Sequence, residues 1–444
     1  MMKNWQAAAL AVFLGAPAFA APPVPTLTAP KPVAPATRPQ IFDFVWRKVR
    51  DGYYDPKMNG VNWNAVRAKY LPKVNAAKDE AEFYVLLNAM LAELKESHFG
   101  AIPPSALGAA KQATPGMATG VPGETGITAQ LVDNQLTVVR VTPGSAGAEG
   151  GVLPGYRITA IKEKPVAPAI EAIVKADANA DPRYAVWATM QSVLGGVVGT
   201  PYPLTVLDAT GAEKTLTVTP RKSVVPKVTF AALPPIPADI ETRTLAGGVG
   251  YVRFSIFLMP LLQPVKDAVT DFAAKGAPAI IFDLRGNRGG LGVMANSIAG
   301  TLTAKEFNLG TMKTREMAQK FPVVPQSPRF AGKVVILVDE GSVSTSEIMA
   351  GGLQEAGRAT VIGRQTAGAV LPSQIVTLPD GGRLQFVFGD FRTPKGVLLE
   401  GRGVTPDITV PLSPALLAAS ASGDPVLDAA LNFLNTPIVK ETQP

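Results

Sequence analysis

The period of the apolar positions changes twice along this chain. From residue 41, Ile41, Phe42, Val45, Trp46 and Val49 recur at helical spacing. Glu80 to Lys95 (EAEFYVLLNAMLAELK) does the same. A mainly helical region is therefore predicted over residues 40–115. It runs into Glu96-Ser97-His98-Phe99-Gly100, and Pro103-Pro104 forbids further helix. Beyond it the pattern becomes extended. Gly126 to Leu131 and Leu136 to Val141 read as strands around a turn at Asp133-Asn134. Leu204 to Leu207 and Thr215 to Thr219 read as a second pair, joined through Asp208-Ala209-Thr210-Gly211. A β-rich domain is expected over residues 116–222.

From 223 to 411 strand and helix alternate. Val249 to Phe257 reads as a strand and Pro264 to Lys275 as a helix. Ala279 to Leu284 is a continuous apolar run, which suits a strand buried on both faces. It ends in the glycine-rich turn Arg285-Gly286-Asn287-Arg288-Gly289-Gly290. Val334 to Val338 repeats the pattern and leads into DEGSVSTSEIMAGG, residues 339–352. A helix over 346–356 follows, with Gly357 as its C-cap, and then the strand Thr360 to Gly363. This succession predicts an α/β core with a partly parallel sheet. Residues 412–444 read as a C-terminal tail. The expected fold class is α+β and multidomain: an N-terminal helical region, a β-rich domain and an α/β core.

In such sheets functional groups gather at the carboxyl ends of strands. The glycine-rich 285–290 and serine-rich 341–346 stretches both fall there. The second carries four hydroxyls in five positions: Ser342, Ser344, Thr345 and Ser346. Ser344 and Glu347 also have the spacing of a capping box, in which each side chain satisfies an orphan amide of a helix start. The local pattern leaves cap and nucleophile both open.

Composition narrows the classes. The chain has 444 residues, 47% of them hydrophobic, and a formal net charge of +7 without a dense basic run, so nothing calls for nucleic acid. It has no Cys, which excludes disulfides, a thiol nucleophile and thiolate metal sites. It has one His, at 98. No zinc, P-loop or Rossmann pattern is found, Asp283 and Asp407 lack metal-ligand spacing with His98, and no cofactor or metal is expected. Trp63 and Trp187 read as core residues. Residues 1–20 read as a signal peptide: Lys3, the apolar run Ala7 to Leu14, and Ala18-Phe19-Ala20 for cleavage. No other stretch reaches a bilayer-spanning length. The Pro/Ala-rich residues 21–39 read as an extended linker. An exported protein is expected, periplasmic or secreted.

Two resemblances sharpen this. VTPGSAGAEGGVLPGYRITAIKEKPV resembles bacterial PDZ domains, although Gly155-Tyr156-Arg157-Ile158 departs from their Gly-Asp-x-Ile. That likeness implies capture of an extended peptide by strand addition, with Gly126 and Ile127 at the binding edge. The whole order also resembles the C-terminal processing (tail-specific) peptidases and tricorn core proteases: helical region, PDZ-like insert, FDLRGNRGG, VDEGSVSTSEIMAGGLQEAGRATVIG and LEGRGVTPDI. It implies a serine endopeptidase acting on polypeptides, with Ser344 as nucleophile. One branch of that family uses a Ser–Lys dyad, and Ala369 stands where its Lys would be. The other, tricorn-like branch uses a Ser–His–Ser–Glu tetrad, and Ser97, His98, Ser344 and Glu400 fall at its motif positions. Imidazole suits proton abstraction from serine at neutral pH, and His98 is the only one the chain offers. The amide of Thr345 and that of Gly289 or Gly290 are the expected oxyanion donors. The rival reading is a non-catalytic peptide-binding scaffold.

Overall fold

The computed structural model describes residues 37–107, 121–176, 181–228, 235–420 and 422–435. The signal-peptide reading, and the linker reading up to residue 36, lie outside the described residues. The chain forms two compact units.

The smaller unit contains the described residues up to 107, together with 312–319 and 371–390. Its helices are Arg38–Gly52, Trp63–Ala76 and Glu80–Ala92. Asn62 and Asp79 cap the second and third, accepting the amides of Ala65 and Glu82 at 3.0 and 2.8 Å. The helical spacing read from the sequence is the buried stripe: Phe42, Val45 and Val49 are fully enclosed. Trp46 and Trp63 pack as reciprocal partners, each indole N–H donating to the other's carbonyl at 3.0 and 3.1 Å. A three-stranded antiparallel sheet closes the core, with Gly100–Ile102 beside Arg383–Val387 and Ser373–Thr377 outermost. Leu384, Phe386 and Val387 share the helical core. The predicted helical region therefore does not stand alone: it is completed by strands nearly 300 residues downstream, which local periodicity could not reveal.

The larger unit holds the β-rich and α/β regions. Ile127–Val132, Gln135–Val141, Arg157–Ile161, Tyr202–Leu207 and Glu213–Val218 form an antiparallel sheet in that order. The Pro182–Leu194 helix lays Val186, Met190 and Leu194 into its core. The second sheet has the order Ile240–Thr244, Gly250–Phe254, Ala279–Asp283, Lys333–Val338, Thr360–Gly363 and Ile408–Thr409. Its first pairing is antiparallel and the others are parallel. The apolar runs 279–284 and 334–338 are its central strands, buried on both faces. The helix expected over 264–275 begins earlier, at Met259, with Pro260 in its first turn, where a missing amide costs nothing.

The C-terminal stretch is more than a tail. It forms the helices Pro414–Ala419 and Pro425–Asn435. Val426, Leu427 and Ala430 are buried with Ile281, Val335, Leu337 and Ile362 of the parallel sheet. A parallel sheet needs both faces covered, and this helix supplies part of that cover. Leu427→Ala should therefore lower stability by about 2–5 kcal/mol in urea unfolding. A loss below roughly 0.5 kcal/mol would return the segment to a surface tail.

Candidate active site

The glycine-rich and serine-rich turns leave adjacent strands of the parallel sheet, whose pairing brings Asp283 opposite Leu337. They are tied together by side chains. Asp339 Oδ1 accepts the amides of Gly286 and Gly341, both at 2.9 Å. Asn287 accepts the Gly289 amide at 2.9 Å and donates through Nδ2 to Phe254 O at 2.8 Å. Asp283 is fully buried and accepts from Tyr251 Oη at 2.7 Å, from Arg285 Nε at 2.9 Å and from the Arg285 amide at 3.0 Å. Burial raises its carboxyl, but Arg285 and Arg253 outweigh this and hold it well below the usual range.

Three of the four clustered hydroxyls are structural struts. Ser342 Oγ donates to Leu284 O, Thr345 Oγ1 to Gly290 O and Ser346 Oγ to Asn287 O, each at 2.8 Å. All three span from the serine-rich turn to the glycine-rich one. Ser344 differs. Its backbone sits at φ 59°, ψ −116°, a strained region for a residue with a Cβ. Its amide donates to Glu347 Oε2 at 3.0 Å and to Ala369 O at 2.9 Å, and its carbonyl accepts the Glu347 amide at 2.9 Å. The capping box read from the sequence is present: the Glu347 carboxylate takes the Ser344 amide, and the Ser344 side chain faces the Glu347 amide, whose 2.9 Å hydrogen bond goes to Ser344 O. In such a box the Ser344 oxygen can only accept, so the cap leaves the Ser344 O–H proton unspent.

Gly289 lies against this turn with φ +83°; a Cβ there would come within 2.6 Å of Val343 O and 2.7 Å of Thr345 N. Only glycine permits that approach. Gly290, at φ +136°, is likewise closed to a side chain, by Phe257 O. The Gly289 amide is taken by Asn287, whereas no acceptor for the Gly290 or Thr345 amide occurs among the described residues.

Glu400 lies in the same unit and accepts the Val370 amide through Oε2 at 2.9 Å. Ala369 is buried beside the Ser344 turn, its carbonyl accepting the Ser344 amide. Asp407 has a structural task, pinning Val361 N at 2.8 Å and Gln354 Nε2 at 2.9 Å. Gly126 has φ +69° and no room for a Cβ beside Ser145. Ile127 opens the edge strand of its sheet. Gln191 Nε2 and Arg364 already donate to Ala129 O and Leu131 O on that strand.

Ser97 and His98 belong to the smaller unit. They follow the Glu80–Ala92 helix and precede Gly100–Ile102. Glu96 is held by the hydroxyls of Tyr53 and Tyr54. On the other side Asn88 clamps both backbone groups of Ala101, at 2.8 and 3.0 Å. The intervening turn puts Ser97 Oγ 2.6 Å from His98 Nδ1, with His98 at φ 60°. Desolvation pushes the His98 pKa down to about 4, so its imidazole is neutral at pH 7. Asp339, Asn287 and Thr366 escaped the sequence reading. Asp339 heads the stretch 339–352 as one more turn residue, and only the strand pairing shows what it bridges.

Residues 248–410 match peptidase family S41 and residues 34–92 match the tricorn protease C1 domain. The chain is similar to the chloroplastic C-terminal processing peptidase of Tetradesmus obliquus, with 28% identity over 394 residues, 86% of this chain and 79% of that protein. It is similar to the carboxyl-terminal-processing protease of a Picosynechococcus species, with 28% identity over 390 residues, 88% of this chain and 87% of that one. Among solved structures, the photosystem II D1 C-terminal processing protease aligns with TM-score 0.58 at 23% identity, covering 88% of this chain and 100% of that one. Mature CPAF aligns with TM-score 0.60 at 13% identity, covering 89% and 95%. The structural likenesses bear on the fold, and the sequence matches on the chemistry. The chain thus carries a peptidase family S41 domain over residues 248–410, and it is a serine-type peptidase.

Proposed function

We propose that this peptidase cleaves exported, periplasmic polypeptides through an acyl-enzyme on Ser344, with His98 as base. The observation that carries the assignment of the nucleophile is the commitment of the other three hydroxyls. Ser342, Thr345 and Ser346 each donate to a carbonyl of the neighbouring turn. A hydroxyl spent as a buried strut cannot attack without leaving an unsatisfied carbonyl behind.

In this reading Ser344 Oγ attacks the scissile carbonyl carbon and its proton passes to His98 Nε2. The tetrahedral intermediate collapses, and His98 returns the proton to the departing amine. Water then attacks the ester, His98 taking and returning a proton once more. For Nε2 to accept, Nδ1 must carry the other proton and donate it to Ser97 Oγ, 2.6 Å away. Glu400 would orient Ser97 in turn. The oxyanion donors are Thr345 N and Gly290 N rather than Gly289 N, which Asn287 already holds. The 116–222 region would capture substrate in the manner of a PDZ domain, along the Ile127–Val132 edge from Gly126 and Ile127. The exported location rests on the signal-like residues 1–20.

Ser344→Ala should abolish casein digestion, by several orders of magnitude in kcat, with the fold intact by circular dichroism. Wild-type digestion by that variant would exclude Ser344, and loss of fold would leave the decision to labelling of the wild type. His98→Ala should be about as damaging. A His98→Ala protein with wild-type activity would remove the proposed base.

His98 is the only histidine, so its imidazole signals need no assignment. In a histidine-labelled protein they should titrate near pH 4, well below the ordinary 6.5. The sign follows from a depressed folded-state pKa. The unfolded chain binds the proton first, so stability should fall as pH drops from about 6.5 toward 4. A midpoint near 6.5 would show an imidazole still in water.

A further inference from the structure

Between the antiparallel sheet of the β-rich region and the parallel sheet, the larger unit holds a cavity of about 460 Å³ to which the proposed reaction gives no task. Thr128 and Arg140 are cross-strand partners and line it together. They lie on the sheet face turned away from Ile127, Ala129 and Leu131, which enter that sheet's own core. The cavity therefore lies under the face of the sheet and not along the edge proposed for substrate capture. Gln130 bridges it to the parallel sheet: Nε2 donates to Asp339 Oδ2 at 2.6 Å, and Oε1 accepts from Arg364 Nη1 at 3.2 Å. Much of the remaining wall is apolar, from Val225, Leu412, Leu417 and Val426.

The charge on the polar wall does not balance. Arg285 pairs with Asp283 at 2.7 Å and with Asp424 at 2.6 Å, and Arg253 with Asp283 at 3.5 Å. Arg140 is a third guanidinium within electrostatic reach of Arg253, Asp283 and Arg285, and it makes no hydrogen bond or ion pair among the described residues. Three guanidinia thus meet two carboxylates. Desolvation, with repulsion from Arg253 and Arg285, pushes the Arg140 pKa down to about 10. The other acids on the cavity do not compensate it. Asp339 is spent on Gln130, Gly286 and Gly341, while Glu124 and Asp239 are exposed. A second orphan belongs to the same wall. Trp187 is 5% exposed and its indole N–H finds no acceptor among the described residues. Buried or desolvated polar groups left without partners call for a reason.

We propose that this cavity binds a small organic acid, with its single carboxylate on Arg140 and an apolar body against Val225, Leu412 and Leu417. The excess charge is one, which a carboxylate cancels. A phosphate dianion would overshoot and repel Asp283 and Asp424. A guanidinium also presents parallel N–H donors that match the two oxygens of a carboxylate. The volume falls within the range of small-molecule pockets, which are mostly apolar with a few polar groups to fix orientation. Gly286 and Asp339 line the cavity too, so the acid lies against the hydrogen bond that holds the glycine-rich turn. The site does not depend on which hydroxyl is the nucleophile.

The test is isothermal titration calorimetry with 3-phenylpropanoate as the probe, on wild type, Arg140→Met and Val225→Trp. The acid should bind wild type with a Kd of about 1 mM or tighter. The amide 3-phenylpropanamide has the same shape without the charge, and should bind at least roughly tenfold more weakly. Inorganic phosphate should also bind more weakly than the acid. Arg140→Met keeps an extended side chain and removes the charge, and should weaken the acid roughly tenfold or more. Val225→Trp fills the apolar end and should weaken it by about tenfold. If Arg140→Met fails to fold, Val225→Trp and the acid–amide comparison carry the test. An acid held as a cleavage product at the Ser344 turn would survive both substitutions, so wild-type affinity in a folded Arg140→Met or in Val225→Trp overturns the proposal. So does an amide that binds as tightly as the acid, or an acid that does not bind at about 20 mM. Phosphate binding more tightly than the acid overturns the assignment to a carboxylate.

Discussion

Asp339 Oδ1 accepts the amides of Gly286 and Gly341 at 2.9 Å each, and so fastens two turns that the sheet itself does not join. Beyond Asp283 and Leu337 the strand ladder ends, and one further main-chain bond, Val343 N to Asn287 O at 3.0 Å, links the turns, in which Asn287, Gly289 and most of 339–346 are buried. Buried amides and carbonyls must be paired. The strand ends answer this with side chains. Asp339 and Asn287 accept amides, and Ser342, Thr345 and Ser346 donate to carbonyls. The density of short polar residues in 339–346 is therefore first a matter of satisfying backbone. One residue in that run, Ser344, is held by its backbone instead, and that difference marks it out.

The same turns are braced from below by charge. Asp283 is held between Arg253 and Arg285, and Arg285 reaches on to Asp424 with contacts of 2.7 and 2.6 Å. Two carboxylates around one nearly buried guanidinium make a network in which no member can be removed without stranding another. Asp424 immediately precedes the C-terminal helix that covers the parallel sheet. The last described helix is thus coupled to the glycine-rich turn that flanks Ser344.

Much of this was legible in the sequence. The runs 279–284 and 334–338 suit strands buried on both faces, and strands of that kind place their following turns at one edge of a parallel sheet. The motif order located Ser344, Gly289, Gly290 and Glu400 in one α/β unit. What was not legible has a common cause: it depends on contacts remote in sequence. Residues 371–390 complete the N-terminal helical core although nothing in their own pattern says so. Residues 412–444 read as a tail because the apolar stripe of Pro425–Asn435 is short and finds its partners only in the assembled sheet. Glu347 showed its cap spacing to Ser344, but three of its four donors come from residues 366–369, whose sequence carries no such signal. That Asn287 takes the Gly289 amide and leaves that of Gly290 was likewise hidden, since sequence alone places Asn287 in the turn without showing which amide it holds.

The central claim is that, of four clustered hydroxyls, only Ser344 is available to attack. Reacting the wild-type protein with a fluorophosphonate and locating the adduct by tandem mass spectrometry tests this directly, because Ser342, Ser344, Thr345 and Ser346 lie on one peptide and fragment to distinct masses. The account predicts a single adduct on Ser344. An adduct on Ser342, Thr345 or Ser346 would contradict it, since each of those hydroxyls would then have had to abandon the carbonyl it holds.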